Sequence, residues 1–152
     1  MLKEGESLPF FDRIDQRGAV VKSDQFIGKK PLVVFFYPKN HTPGCIAEVC
    51  SFRDKYADFV DYGAAVIGIS TDSLRNHVRF SESFNLPFSL LSDTDKFLQK
   101  AFKINKQFFG ILSLRVSFVF DIEGKLILAY DSLNPISHIY KALKTLKGET
   151  VV

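Results

Sequence analysis

Pro31-Leu32-Val33-Val34-Phe35-Phe36-Tyr37 runs directly into Pro38-Lys39-Asn40-His41-Thr42-Pro43-Gly44-Cys45-Ile46-Ala47-Glu48-Val49-Cys50. The first seven residues lack polar alternation and are rich in Val and Phe, the pattern of a strand buried on both faces and therefore central in a sheet. Thr42 stands where a helix N-cap is expected, and Pro43 follows at a first helical position, where a missing N–H costs nothing. Phe52, Tyr56, Phe59 and Val60 then keep helical spacing, which predicts one helix from Ile46 to Tyr62, ended by Gly63. Cys45 thus falls where a buried strand hands over to a helix N-terminus. Unpaired backbone N–H groups and the positive end of the macrodipole favour a thiolate there.

Outward from this stretch, Leu8–Ile14 and Ala19–Lys22 flank the polar turn Asp15-Gln16-Arg17-Gly18, a short hairpin. Ser23 or Asp24 caps a short helical turn before Gly28. Ala64–Ser70 reads as a second buried strand, and Asp72 or Ser73 starts a polar helix carrying Leu74, Val78, Phe80 and Phe84. Pro87–Leu91 reads as a short strand, and Ser92-Asp93 opens a helix through Phe102. Leu112–Asp121 and Leu126–Tyr130 are strands joined by the turn Ile122–Lys125. A last helix spans Pro135–Leu146 on Ile136, Ile139, Tyr140, Leu143 and Leu146. Strand, helix, strand, helix and a closing hairpin with a helix is an α/β order: a central mixed sheet with helices on both faces.

A chain of 152 residues is expected to be one domain spanning 1–152. The net charge of +3 comes from scattered lysines, so nucleic acid is not implied. The sixteen Phe are read mainly as core. The first residues lack the apolar region of a signal peptide, and no run approaches the roughly 20 apolar residues that span a bilayer, so a cytoplasmic, non-membrane protein is expected. Two cysteines in that setting point to redox or metal chemistry before structural disulfides. Zinc on Cys45, Cys50 and His41 would lack a fourth ligand and a usual spacing.

Five residues of ideal helix separate Cα atoms by roughly 8.6 Å, whereas a disulfide needs less than about 7 Å. Cys45 and Cys50 therefore either never bond or bond only when the first turns of the helix unwind, an opening of the kind proteins undergo locally. An acidic, accessible cysteine with a second one nearby is the pattern of oxidation to sulfenic acid followed by disulfide formation. Attack on a peroxide needs donors for developing charge on oxygen, which the N–H groups of Gly44 and Cys45 can supply. The Thr42 hydroxyl can orient substrate. Arg115, in the apolar context of Leu114, Val116, Phe118, Val119 and Phe120, is the candidate to stabilise thiolate and transition state, the alternative being an ion pair with a carboxylate such as Glu48. For Cys50 the alternative is an inert, buried thiol. Glu48 reads equally as a member of the site or as an exposed helix carboxylate. His41 reads as a solvated loop residue, and His77 and His138 as surface residues.

Pro38-x-x-x-Thr42-x-x-Cys45 is similar to the peroxiredoxin active-site pattern, and YPKNHTPGCIAEVCSFRD (Tyr37–Asp54) resembles the Q-type peroxiredoxins, also called the bacterioferritin-comigratory-protein type. GISTD (Gly68–Asp72), LLSD (Leu90–Asp93) and RVSFVFDIEGK (Arg115–Lys125) fall where that family has similar strings. The resemblance implies a thioredoxin-like fold and thiol-dependent reduction of hydrogen peroxide and organic hydroperoxides. By it, Cys45 is the peroxidatic cysteine and Cys50 the resolving one, with Pro38, Thr42 and Arg115 completing the pocket. It further implies thioredoxin or glutaredoxin as reductant, no metal or organic cofactor, and a monomer or weak homodimer. Asn40-His41 and Ile46 depart from the family's usual residues, and Ile104–Leu114 is unusually apolar: Phe108, Phe109, Ile111 and Leu112 read either as an exposed collar for a partner or bulky substrate or, more simply, as core packing. Two other functions fit parts of the pattern. A disulfide oxidoreductase would use Cys-x-x-Cys, which the spacing here disfavours. A peroxide sensor would use the same Cys45 chemistry and pass the oxidation to a partner.

Overall fold

The computed structural model describes residues 1–104 and 115–148. Its elements are β1 (Asp12–Ile14), β2 (Val20–Lys22), a 3-10 turn (Ser23–Gln25), β3 (Leu32–Phe36), α1 (Pro43–Asp54), α2 (Tyr56–Asp61), β4 (Ala65–Ser70), α3 (Leu74–Phe84), β5 (Ser89–Ser92), α4 (Phe97–Ala101), β6 (Val116–Phe120), β7 (Leu126–Asp131) and α5 (Ser137–Leu146). β1 and β2 form the expected hairpin, Asp12 opposite Lys22. The other five strands form one mixed sheet in the order β5-β4-β3-β6-β7. β3 pairs parallel to β4 and antiparallel to β6, so the apolar run Leu32–Phe36 is the central strand.

Every residue of β3 is buried, and its side chains divide between two cores. Leu32, Val34 and Phe36 join Leu98, Phe102 and Phe118 on the face covered by α4 and the N-terminal segment. Val33, Phe35 and Tyr37 join Val49, Phe52, Phe59, Phe80, Ile139 and Leu143 on the face covered by α1, α2, α3 and α5. Phe35 stacks on Phe52 with ring centroids 4.2 Å apart, which ties α1 to the central strand. A Cβ on Gly68 of β4 would stand 2.7 Å from the Phe35 ring, so only glycine admits that aromatic.

Several boundaries differ from the sequence reading. The helix expected over Ile46–Tyr62 is two helices, because Lys55 (φ −102°, ψ 9°) leaves helical geometry between α1 and α2. After β5 the chain does not enter a helix at Ser92-Asp93. It turns through Lys96 at φ 60°, and α4 starts at Phe97, with the Asp93 carboxylate accepting from the N–H groups of Leu98 and Gln99. The Ser23 hydroxyl accepts from the Phe11 N–H and does not cap the short turn. The inner face of α5 is His138, Ile139, Ala142 and Leu143, while Ile136 and Tyr140 are 38% and 55% exposed. Leu112–Leu114, the start of the expected sixth strand, and the apolar stretch around Phe108, Phe109, Ile111 and Leu112 lie outside the described residues. Among the described residues no helix is long and apolar enough to cross a membrane.

Candidate active site

The site forms where β3 ends and α1 begins. Tyr37 and Pro38 leave the sheet, His41 takes φ 64°, and Thr42 returns to extended geometry at the N-cap of α1. Pro43 and Gly44 put Cys45 in the first turn, where backbone N–H groups have no intrahelical carbonyl. Thr42 occupies the N-cap position, yet its hydroxyl does not cap. It donates to the Lys39 carbonyl at 2.8 Å, closing the loop on itself.

Arg115, brought in from the foot of β6, reaches Cys45. Its Nη2 lies 3.7 Å from the Cys45 sulfur, and its Nη1 donates to Glu48 Oε1 at 2.9 Å. Arg115 therefore reaches both groups read as its partner, and its hydrogen bond to Glu48 aims the guanidinium at the sulfur. A Cβ on Gly44 would stand 3.1 Å from Nη2, so this glycine leaves room for the guanidinium. Glu48 is fully buried, which removes the reading as an exposed helix carboxylate. Burial raises its pKa to about 8, against the pull of Arg115.

Two expectations about exposure are overturned. The Cys45 sulfur was expected to be accessible, but Cys45 is 1% exposed, enclosed with Tyr37 and Val49 in the core beneath α1. His77 and His138 were expected at the surface, and both are wholly buried. His77 lies one turn before Phe80 on the inner face of α3, and His138 one turn before Ala142 on that of α5. Those spacings were the available signal. Desolvation lowers both imidazoles, His138 to about 4. His41 is exposed as expected, edge-on to Phe80. Cys45 and Cys50 are free thiols, Cys50 half-buried on α1 with its pKa raised by desolvation.

Asn40, singled out only as unusual, anchors the loop. Its side-chain carbonyl accepts from Tyr37 Oη at 2.7 Å, and its amide meets Asn76 Oδ1 at 3.2 Å and His77 Nδ1 at 3.0 Å. Its backbone N–H donates to Asp72 Oδ2 at 2.8 Å. Pro38, Thr42, Gly44 and Cys45 are thus held between this polar anchor and the buried Glu48–Arg115 contact.

Comparison with known proteins places this arrangement. The AhpC/TSA family model matches residues 5–129. The chloroplastic peroxiredoxin Q of Sedum lineare is 41% identical over 146 residues, 95% of this chain and 78% of that protein. Peroxiredoxin Bcp of Bacillus subtilis is 38% identical over 150 residues, 94% of each chain. Among solved structures, peroxidoxin BcpB of Mycobacterium tuberculosis superposes with a TM-score of 0.88 at 32% identity, covering 99% of this chain and 100% of that one. The Xanthomonas campestris bacterioferritin comigratory protein, studied for its alkyl peroxide reduction activity, gives a TM-score of 0.82 at 31% identity, covering 93% and 90%. The buried Cys45–Arg115–Glu48 cluster at the head of α1 therefore sits in a thioredoxin-like fold, and the chain belongs to the AhpC/TSA family, within its peroxiredoxin Q and Bcp group of thiol peroxidases.

Proposed function

We propose that Cys45 reduces hydrogen peroxide and organic hydroperoxides and that Cys50 resolves the product. The Cys45 thiolate attacks one peroxide oxygen. The O–O bond breaks, the sulfur is oxidised to sulfenic acid, and the other oxygen leaves as water or alcohol after taking up a proton. The observation that carries this reading is the Arg115 Nη2 at 3.7 Å from the sulfur. It sets a fixed positive charge where the thiolate and the displaced oxygen carry negative charge. In this reading the Gly44 and Cys45 N–H groups take up the charge developing on oxygen, the Thr42 hydroxyl turns from the Lys39 carbonyl to the peroxide, and Pro38 completes the pocket. Cys45 reacts, on the same reading, while α1 is formed, because only then do the first-turn N–H groups and Arg115 face the sulfur.

Cys50 then attacks the sulfenic sulfur, forming the Cys45–Cys50 disulfide and releasing water. The five-residue helical spacing requires α1 to unwind first, and unwinding also hydrates Cys50, removing the burial that raises its pKa. A thioredoxin, or a glutaredoxin, returns the disulfide to two thiols. In this reading the chain works as one domain, monomeric or weakly dimeric, in the cytoplasm.

The test is mass spectrometry with peptide mapping after one equivalent of hydrogen peroxide. An intramolecular Cys45–Cys50 disulfide is expected in the native chain, and a stable sulfenic acid at Cys45 in Cys50→Ser. Peroxide turnover retained by Cys45→Ser would overturn the assignment.

A further inference from the structure

Behind Arg115 lies a second buried group that the peroxide chemistry leaves unused. His138 of α5 is wholly buried, and its Nδ1 stands 3.8 Å from Glu48 Oε2. Its Nε2 lies 2.8 Å from the Ser132 carbonyl, which can only accept, so Nε2 carries the ring proton. Nδ1 is then unprotonated, and its one lone pair accepts from the Ser117 hydroxyl at 2.8 Å. Glu48 Oε2 hydrogen-bonds to no described residue. At 3.8 Å the two do not hydrogen-bond, and with Nδ1 unprotonated and Glu48 ionised their negative ends repel in a buried setting, which a proton on either one relieves.

We propose that Glu48 and His138 jointly hold one proton behind Arg115, and that His138 is thereby a positioning residue for the peroxide reaction. The inference rests on the reading of Cys45 as the peroxide-reacting thiol. Charge counting supports it. With Cys45 ionised, a charged Glu48 would leave one excess negative charge in an enclosed cluster, while a protonated Glu48 leaves a balanced guanidinium–thiolate pair. The proton stays on the pair throughout the reaction, and its loss would turn Arg115 toward Glu48 as a full ion pair. The upward shift of Glu48 and the downward shift of His138 both follow from burial and put the proton on Glu48 at neutral pH. The charged and titratable groups around the pair are Arg115 from the foot of β6, Cys45 on α1, Tyr37 after β3, and Tyr130 of β7 edge-on to His138, with Lys141 over the Tyr130 ring. The Ser132 N–H also donates to the Arg115 carbonyl at 3.3 Å, so one turn positions both His138 and Arg115.

Two measurements test this. The first is the rate of Cys45 oxidation by hydrogen peroxide from about pH 5 to about pH 9.5, which should fall through a limb near pH 8. Glu48→Gln should lose that limb. His138→Phe, keeping bulk but no acceptor, should shift it down by about one unit, a tenfold loss of proton affinity. Ser117→Ala, which frees Nδ1, should shift it up and keeps a small side chain should His138→Phe fail to fold. A purely structural role would change rates without moving the limb. The second is isotope-edited infrared spectroscopy of 13C-glutamate protein, with Glu48 assigned by its loss in Glu48→Gln. A protonated carboxyl band at neutral pH is expected whether or not Cys45 reacts with peroxide. An ionised Glu48 at neutral pH, or a limb unmoved by both His138→Phe and Ser117→Ala, would overturn the proposal.

Discussion

Replacing Val49 by Ala should accelerate formation of the Cys45–Cys50 bond. Val49 is wholly buried, packed with Val33, Phe35, Tyr37 and Phe52, and lies between the two cysteines on α1. Unwinding the segment that separates the sulfurs must pull this side chain out of the core. Val49→Ala removes two methyl groups, about 1.6 kcal/mol of burial at ~0.8 kcal/mol each. The higher helix propensity of Ala returns about 0.5 kcal/mol, and the residual cavity removes somewhat more. The gap between wound and unwound α1 thus narrows by about 1–2 kcal/mol, a factor of about 5–30 in the open population. Since the chain has no Trp, rapid quench with mass spectrometry is the suitable assay, counting sulfenic acid and disulfide after a peroxide pulse. Disulfide should form about fivefold faster or more, with less over-oxidation at high peroxide. Hydrogen exchange should show weaker protection from Thr42 to Phe52. An unchanged or slower resolving step in a variant whose α1 amides exchange faster would refute helix opening as the gate.

Gly44→Ala puts a Cβ 3.1 Å from Arg115 Nη2, so the guanidinium must shift by a few tenths of an ångström; peroxide reactivity should drop about tenfold with little change in urea midpoint. Asn40→Ala leaves the Tyr37 hydroxyl and His77 Nδ1 without this partner in the core, which should cost about 1–3 kcal/mol in urea unfolding and slow the peroxide reaction as the loop loosens. Acid should destabilise the fold through its two neutral, buried histidines. Their folded pKa values lie below the ordinary 6.5, so the unfolded chain takes up protons first, and stability present above pH 6.5 is lost as pH falls, for His138 until about pH 4. Glu48 acts oppositely, its folded pKa being raised from 4.5 to about 8, so its contribution is full at low pH and disappears as pH rises through 8. Urea midpoints should therefore fall more steeply between about pH 7 and about pH 4.5 in Glu48→Gln than in the native chain, and less steeply in His77→Gln.

The site was legible where its signals were local. Pro43 at the first helical position, the apolar run before it and two cysteines in one helix are short-range features, and each reports a constraint on neighbouring residues. Arg115 was recognisable 70 residues away only because a charge in an apolar strand demands a partner. Its choice between Cys45 and Glu48 was not, because both carry the acceptor it needs and the fold satisfies both. The histidines were misplaced for a related reason. His77 and His138 look solvated by residue type, and only the spacing to Phe80 and Ala142 hints otherwise. The boundary at Lys55 left no mark in the apolar pattern, since Phe52, Tyr56 and Phe59 keep period across the break.

The order of strands and helices, the central place of Pro31–Tyr37, the cysteine at a helix start and the spacing that forbids a disulfide in an intact helix were determined by the residues alone, because periodicity, turn chemistry and helix geometry act over a few positions. Tertiary structure decided what lies around the sulfur. Antiparallel pairing of β6 with β3 delivers Arg115, α5 delivers His138, and β4 with α3 delivers the partners of Asn40. Those contacts join residues tens of positions apart, and their burial changes the charge each group prefers to carry. No local pattern encodes that, since desolvation depends on what the rest of the chain packs above a side chain.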